Sequence, residues 1–286
     1  MFRVCSHQLK ISLCSPRIYI AVFAGIVIQI VSLISFLDFS KTIGKPLCVF
    51  ESITYSNCDL YAPVALFLAV LVLVSDIPFT SQSETYTLLR ISRKKWIAGK
   101  VLYLVSICAI YYLIVYAAGA LFIAENAYGG NLWSEPLYII ANDTTSALSL
   151  SSNVYFPYAY ILNNLTPYLA AFLIYLLSVS YATLMSLLVF WLNLKISRIL
   201  SYAAVMLVHI VSYTLTALSV TPSRINLSLF SNSLLMFHNI GAGSDERYNS
   251  IPQTVIIYGV IIGLLVLMIL HAIKRYDFKI TVGGKQ

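Results

Sequence analysis

The side chains whose types and spacing could recognise another molecule lie in one basic stretch around position 90. Ser81 and Glu84 have the spacing of a capping box, which predicts that a short helix begins there. That helix would carry Tyr86, Leu89 and Arg90 on one face, because residues three and four apart are neighbours on a helix surface. The stretch therefore predicts a short amphipathic helix with one aromatic, one aliphatic and one cationic side chain.

A second helix is predicted directly after this one. Ser92 is a suitable N-cap residue, and Lys100 comes just before a long apolar run. We expect Trp96 to lie at the membrane interface, where tryptophan is enriched. Taken alone, these features fit an ordinary basic loop with one interfacial aromatic residue.

Catalytic and nucleotide-binding motifs are absent from the sequence. It has neither the His-Glu-x-x-His pattern of a zinc hydrolase nor the Gly-x-x-x-x-Gly-Lys-Ser/Thr pattern of a phosphate-binding loop. We therefore expect no enzyme activity and no bound cofactor, and any work done by this chain must draw its energy from another one.

The five cysteines have no metal-binding spacing. Cys48 and Cys58 lie in one loop that we predict to face outward, where oxidising conditions permit disulfides. A disulfide between them and two unrelated reduced thiols are both compatible with the sequence.

Composition indicates a membrane protein. Of the 286 residues, 59% are hydrophobic and 10% are charged, against about 45–50% and about 25% in soluble domains. The net charge of +7 comes from residues beside apolar runs, which argues against a nucleic-acid partner and for a lipid bilayer.

Six apolar stretches are long enough to cross a bilayer core of about 30 Å as helices. The sequence therefore predicts an all-α integral membrane protein of one domain, with six transmembrane helices near residues 18–37, 60–79, 101–124, 168–192, 199–219 and 254–273. Most lysines and arginines fall on one side of these spans. The positive-inside rule then predicts a multi-pass protein of the plasma membrane with both termini in the cytoplasm.

The segments outside the spans differ in character. Residues 1–17 could form a helix flat on the inner membrane surface or a frayed tail. Residues 125–166 form a long polar outer loop, and residues 225–240 form a semi-apolar outer segment between spans five and six. Within the spans, His209 is a lone histidine that we expect to pack or to hydrogen-bond across helices.

The basic stretch resembles the loop between the second and third spans of ABC-2-type permeases, the membrane subunits of some ATP-binding-cassette transporters. The matching positions are Glu84, Thr87, Leu88, Leu89, Ser92, Arg93, Trp96, Ile97, Gly99 and Lys100. Where the family often has Gly-Thr, this chain has Tyr86 and Thr87. The six spans, the cytoplasmic ends and the outer segment extend the resemblance to the architecture of most of the chain.

The resemblance implies a permease subunit, often bacterial and usually an exporter, that forms the pathway with a second, identical or homologous permease. A separate ATPase subunit would bind ATP and magnesium, and the loop at residues 80–100 would couple it to the spans. In that loop Glu84 and Arg90 would make polar contacts, and Tyr86 and Leu89 would be apolar anchors. The other family positions expected at this coupling site are Leu88, Ser92, Arg93 and Trp96.

A different class of function is also compatible with the sequence. The chain could be a non-transporting membrane component such as a sensor, an immunity protein or an assembly scaffold. That hypothesis predicts that the loop binds no ATPase and tolerates substitution.

Overall fold

The computed structural model describes residues 2–75, 77, 91–142, 159–219 and 221–273, and within these ranges the chain is mostly helical. Among these described residues, five helices are long and apolar enough to cross a membrane. They are α2 (Pro16–Ile43), α5 (Arg93–Ile123), α8 (Pro167–Asn193), α9 (Arg198–Leu218) and α11 (Ile251–Ala272). The chain is therefore an all-α, multi-pass membrane protein.

The predicted second span, residues 60–79, is not one straight helix. The structure has α3 (Glu51–Cys58) and α4 (Tyr61–Leu73), bent by 96° at the break between them. The carboxylate of Asp59 accepts hydrogen bonds from the backbone N–H of Tyr61 at 2.8 Å and of Ala62 at 3.2 Å, which caps α4 and separates it from α3. With 13 residues, α4 is about 20 Å long, so it is shorter than the predicted span.

Helices α2, α5 and α9 run from one end of the bundle to the other, and α8 and α11 run back, which gives the bundle two ends. At one end Arg93 lies beside Ile273, and Tyr202 lies beside Val74. We call it the basic end because its residues include Arg17, Lys94, Lys95, Lys195 and Arg198. We call the other end of the bundle the capped end, because short strands and helices cover the long helices there.

Close helix contacts build the centre of the bundle. A Cβ atom added at Gly25 of α2 would lie 2.4 Å from the Tyr111 hydroxyl of α5, and one added at Gly119 of α5 would lie 2.8 Å from Cγ of Gln29. Glycine at these two positions therefore lets α2 and α5 approach closely. Helix α8 packs against α3, α5, α9 and α11 and is the central helix of the bundle.

The first helix, α1 (Phe2–Leu13), packs against α5 at the basic end. Its buried residues Val4, Cys5, Gln8 and Ser12 share one face, and the Ser12 hydroxyl lies 2.7 Å from that of Tyr103. The amino-terminal segment is thus a helix that packs on the bundle and not a frayed tail.

Two short parallel strands and several short helices form the capped end. Strand β1 (Leu47–Cys48) pairs with β2 (Ala127–Tyr128), and residues 125–166 also contain α6 (Glu135–Asn142) and α7 (Ala159–Asn164). Helix α10 (Pro222–Leu227) begins the segment that connects α9 with α11.

The semi-apolar segment at residues 225–240 is largely buried against the bundle. Beyond α10 it continues as two short 3-10 turns, Ser231–Ser233 and Leu235–Phe237. Side chains of the bundle form hydrogen bonds with the backbone of this segment. The Tyr258 hydroxyl donates to the Leu229 carbonyl at 2.7 Å, and Asn57 Oδ1 accepts from the Leu235 N–H at 3.2 Å. Irregular backbone is stable in such a place because protein groups satisfy its hydrogen bonds.

Candidate functional site

The chain leaves α4 toward the predicted coupling loop through a segment that is tied to two other helices. The Ile77 carbonyl accepts a hydrogen bond from the Asn193 amide at the end of α8, and Ile77 is fully buried. The Val74 carbonyl accepts from the Tyr202 hydroxyl of α9 at 2.7 Å. A displacement of the loop would therefore act on α8 and α9 as well as on α4.

The chain returns from the loop directly into α5. Ser92 occupies the N-cap position with an extended backbone (φ −61°, ψ 144°), and its carbonyl accepts from the Trp96 N–H at 3.1 Å. Arg93 Nη1 donates a hydrogen bond to the Ile273 carbonyl at 3.1 Å. Carbonyl groups at the carboxyl end of a helix have no partner within the helix, and this bond supplies one for α11. A cation at the carboxyl end of a helix also interacts favourably with the helix dipole.

Trp96 and Lys100 both lie inside the bundle. Trp96 is 1% exposed and packs edge-on against Phe190 of α8, with ring centroids 6.3 Å apart. Lys100 is fully buried about 10 Å into α5, with Nζ 5.2 Å from the Trp96 ring centroid. Helix α5 begins at Arg93, eight residues before the predicted start of span three, and these two side chains face its neighbours in the bundle. The depth of Trp96 and Lys100 relative to a membrane stays a prediction.

Three of the eight predicted coupling residues are therefore placed: Ser92 and Arg93 are exposed at the basic end, and Trp96 is inside it. The other five, Glu84, Tyr86, Leu88, Leu89 and Arg90, lie outside the described residues, as does the predicted capping box.

The centre of the bundle holds polar side chains that are paired across helices. His209 Nδ1 of α9 lies 2.7 Å from the Tyr181 hydroxyl of α8, which confirms the predicted cross-helix hydrogen bond of that histidine. The Tyr116 hydroxyl of α5 lies 3.0 Å from the Ser178 hydroxyl. Among the described residues, no group of three or more His, Cys, Asp or Glu side chains could hold a metal ion.

Buried titratable groups collect at the capped end. Glu51, at the start of α3, accepts hydrogen bonds from the Cys48 N–H at 3.0 Å and from the Ser134 hydroxyl at 2.6 Å, and a third from the Ser134 N–H. Burial raises the pKa of Glu51, although these three donors act to lower it. No local pattern in the sequence predicts this cluster, because Ser134 is 83 residues from Glu51 along the chain.

His238 is the second buried titratable group of the capped end. Its Nδ1 lies 3.0 Å from the Leu234 carbonyl, and its Nε2 lies 3.0 Å from the Thr254 hydroxyl. Burial lowers the pKa of His238 to about 4, so the imidazole is neutral at pH 7. In that state Nδ1–H donates to the Leu234 carbonyl, and Nε2 competes with Asn232 Oδ1 for the single hydroxyl hydrogen of Thr254.

Cys48 and Cys58 are both free, buried thiols. Cys48 Sγ donates to the Gly130 carbonyl at 3.1 Å, and burial raises the pKa of Cys48. Of the two arrangements that the sequence left open, the structure has separate thiols.

No protein-family model, curated protein or solved structure matches the chain. A function must therefore be inferred from its own residues and geometry.

Proposed function

We propose that this chain is the membrane-spanning permease subunit of an ATP-binding-cassette transporter and that it works as an exporter. Two such subunits, identical or homologous, would form the pathway, and a separate ATPase would supply the energy. The observation that carries the proposal is the position of the permease-like motif: both ends of its loop are hydrogen-bonded to other helices of the bundle.

These hydrogen bonds suit a coupling element. On one side of the loop, Ile77 and Val74 are bonded to α8 and α9, and on the other Arg93 is bonded to the end of α11. Helix α5 then continues without a break for 31 residues, about 46 Å, to the capped end. Movement of an ATPase against the loop would therefore act on several spans at once, as in a rigid-body switch between two packings.

Charge supports an orientation with the basic end in the cytoplasm. Among the described residues, no Asp or Glu lies at the basic end and most lie at the capped end, whereas cations are concentrated at the basic end. Helix α1 and the carboxyl end of α11 are both at the basic end, so both termini would be cytoplasmic.

Co-purification from the native membrane tests this function. A tagged chain, extracted in mild detergent, should bring down a nucleotide-binding ATPase, and Glu84→Ala with Arg90→Ala should weaken or abolish that association. The matched control is Glu125→Ala with Arg224→Ala, an exposed acid and base at the capped end. If no nucleotide-binding protein accompanies the wild type even after crosslinking, the permease proposal is wrong and a sensor or scaffold function replaces it.

A further inference from the structure

A groove of about 570 Å³ opens at the basic end, between the first turn of α5 and the last turns of α11. Its lining combines charged, polar and apolar side chains: Arg93 and Lys94 are cationic, His271 is polar, and Leu267, Leu270 and Ile273 are apolar. The hydrogen bond from Arg93 to the Ile273 carbonyl joins the two walls and holds one cation at the mouth of the groove.

An exposed apolar stripe on α11 leads from this groove toward the middle of the bundle. Val260, Leu264 and Leu267 are 56%, 54% and 63% exposed, and with His271 they follow helical spacing along one face. From Val260 to His271 the stripe covers about 16 Å, close to half of a bilayer core of about 30 Å. It thus has the length of one leaflet.

The charge around the groove favours an anion. In the part of the chain that the structure describes, no Asp or Glu lies at this end of the bundle, and Lys94 is exposed at the groove's edge. A free phosphate would contact the cations but leave the stripe unused, and a neutral lipid would do the opposite. A molecule that uses both has an anionic headgroup and a hydrocarbon chain.

We propose that this groove binds one anionic phospholipid of the leaflet at the basic end. Its phosphate contacts Arg93, Lys94 and His271, and one acyl chain lies along Val260, Leu264 and Leu267. Basic pockets between helices at the cytoplasmic surface are suited to such headgroups. The bound lipid would bridge the start of α5 and the end of α11, next to the permease-like motif but independently of any ATPase.

Competition between lipids in nanodiscs tests the site. The full chain is placed in phosphatidylcholine discs that contain a minor fraction of phosphatidylglycerol, and native mass spectrometry identifies the retained lipid. Wild type should retain phosphatidylglycerol in preference. Lys94→Gln should weaken retention about fivefold, which corresponds to the ~1 kcal/mol that a cationic side chain contributes near an anionic surface.

Lys95→Gln is the matched control, since Lys95 has the same charge one residue away and does not line the groove. Equal losses in the two variants would mean a diffuse surface charge and would overturn the proposal, as would equal retention of both lipids by wild type. Displacement of the lipid by inorganic phosphate alone would show an anion site without a lipid chain, which also contradicts it.

A second readout does not depend on any variant. Phosphatidylglycerol with a photoreactive acyl chain should label the α11 stripe more strongly than the exposed apolar face of α9 around Leu207 and Ile210. Photoreactive phosphatidylcholine should label the two faces alike. If both lipids label both faces in the same ratio, α11 carries no specific site.

Discussion

Replacing Glu51 with alanine tests how the capped end is held together. The Glu51 carboxylate joins two parts of the chain: it accepts hydrogen bonds from the N–H of Cys48 in β1 and from the N–H and hydroxyl of Ser134, just before α6. Glu51 and Cys48 are fully buried and Ser134 is 2% exposed, so water does not replace these bonds in the folded state.

The cost follows from the donors that the substitution leaves behind. The Ser134 hydroxyl can rotate to another acceptor, but the N–H groups of Cys48 and Ser134 lose theirs, and each buried unsatisfied group costs about 1–3 kcal/mol. Removing the carboxylate also removes its own desolvation penalty, which offsets part of this loss. We expect a net cost of about 3 kcal/mol, or roughly a 100-fold increase in the population of the opened capped end.

Thiol labelling measures that opening directly. Cys48 should react with a maleimide roughly 100-fold faster in Glu51→Ala than in wild type, because reaction requires the buried thiol to become exposed. Exposed Cys14 provides the reference rate, and buried Cys108 inside α5 should stay unreactive, which excludes global unfolding.

Two further variants bracket the expected effect. Glu51→Gln keeps one acceptor oxygen and should give an intermediate labelling rate. Glu135→Ala removes the half-exposed ion pair with Lys45, 2.9 Å long and adjacent to Ser134, and should change the rate by less than about fivefold. An unchanged Cys48 rate in Glu51→Ala would refute the conclusion that this carboxylate holds the capped end.

Two other substitutions give distinct outcomes. The pKa of His238 is lower in the folded state than in the unfolded one. The contribution of His238 to the free energy of unfolding is therefore complete above pH 6.5. It is lost as the pH falls toward 4, by about 1.4 kcal/mol per pH unit. Between pH 7 and 5 the melting temperature of His238→Gln should therefore change less with pH than that of wild type. Equal slopes of melting temperature against pH would contradict this. Gly119→Ala should destabilise the bundle by about 1–3 kcal/mol, because its Cβ would lie 2.8 Å from Gln29 Cγ. A Cβ atom added at Gly263 would have no other atom within 4 Å, so Gly263→Ala should be neutral or slightly stabilising. Similar decreases in melting temperature for the two glycine variants would refute the packing argument.

The long helices could be predicted from the sequence because their apolar runs exceed the thickness of a bilayer. Pro16 and Pro167 also begin α2 and α8, where their missing N–H groups cost nothing. Hydropathy did not predict the start of α5, since its first turns are basic, but Ser92 as an N-cap residue did. The Ser92 side chain makes no capping hydrogen bond, and these turns are held by Trp96, whose ring is buried against α8.

The capped end was not predictable from local pattern. The bend between α3 and α4 depends on Asp59, whose side chain caps α4 within an otherwise span-like stretch. The burial of Glu51 depends on Ser134, 83 residues away, and the sequence has no periodic signal for that pairing. Tertiary hydrogen bonds, and not propensity, determine the structure there.

Photocrosslinking from the predicted coupling loop in the native membrane tests the central proposal most directly. A photoreactive amino acid in place of Tyr86 should form an adduct with a nucleotide-binding ATPase subunit. The same amino acid in place of Tyr138, which is 40% exposed at the capped end, should not. An ATPase adduct from position 86 alone is the result that the permease account predicts. Adducts from both positions, or none from position 86, would contradict it.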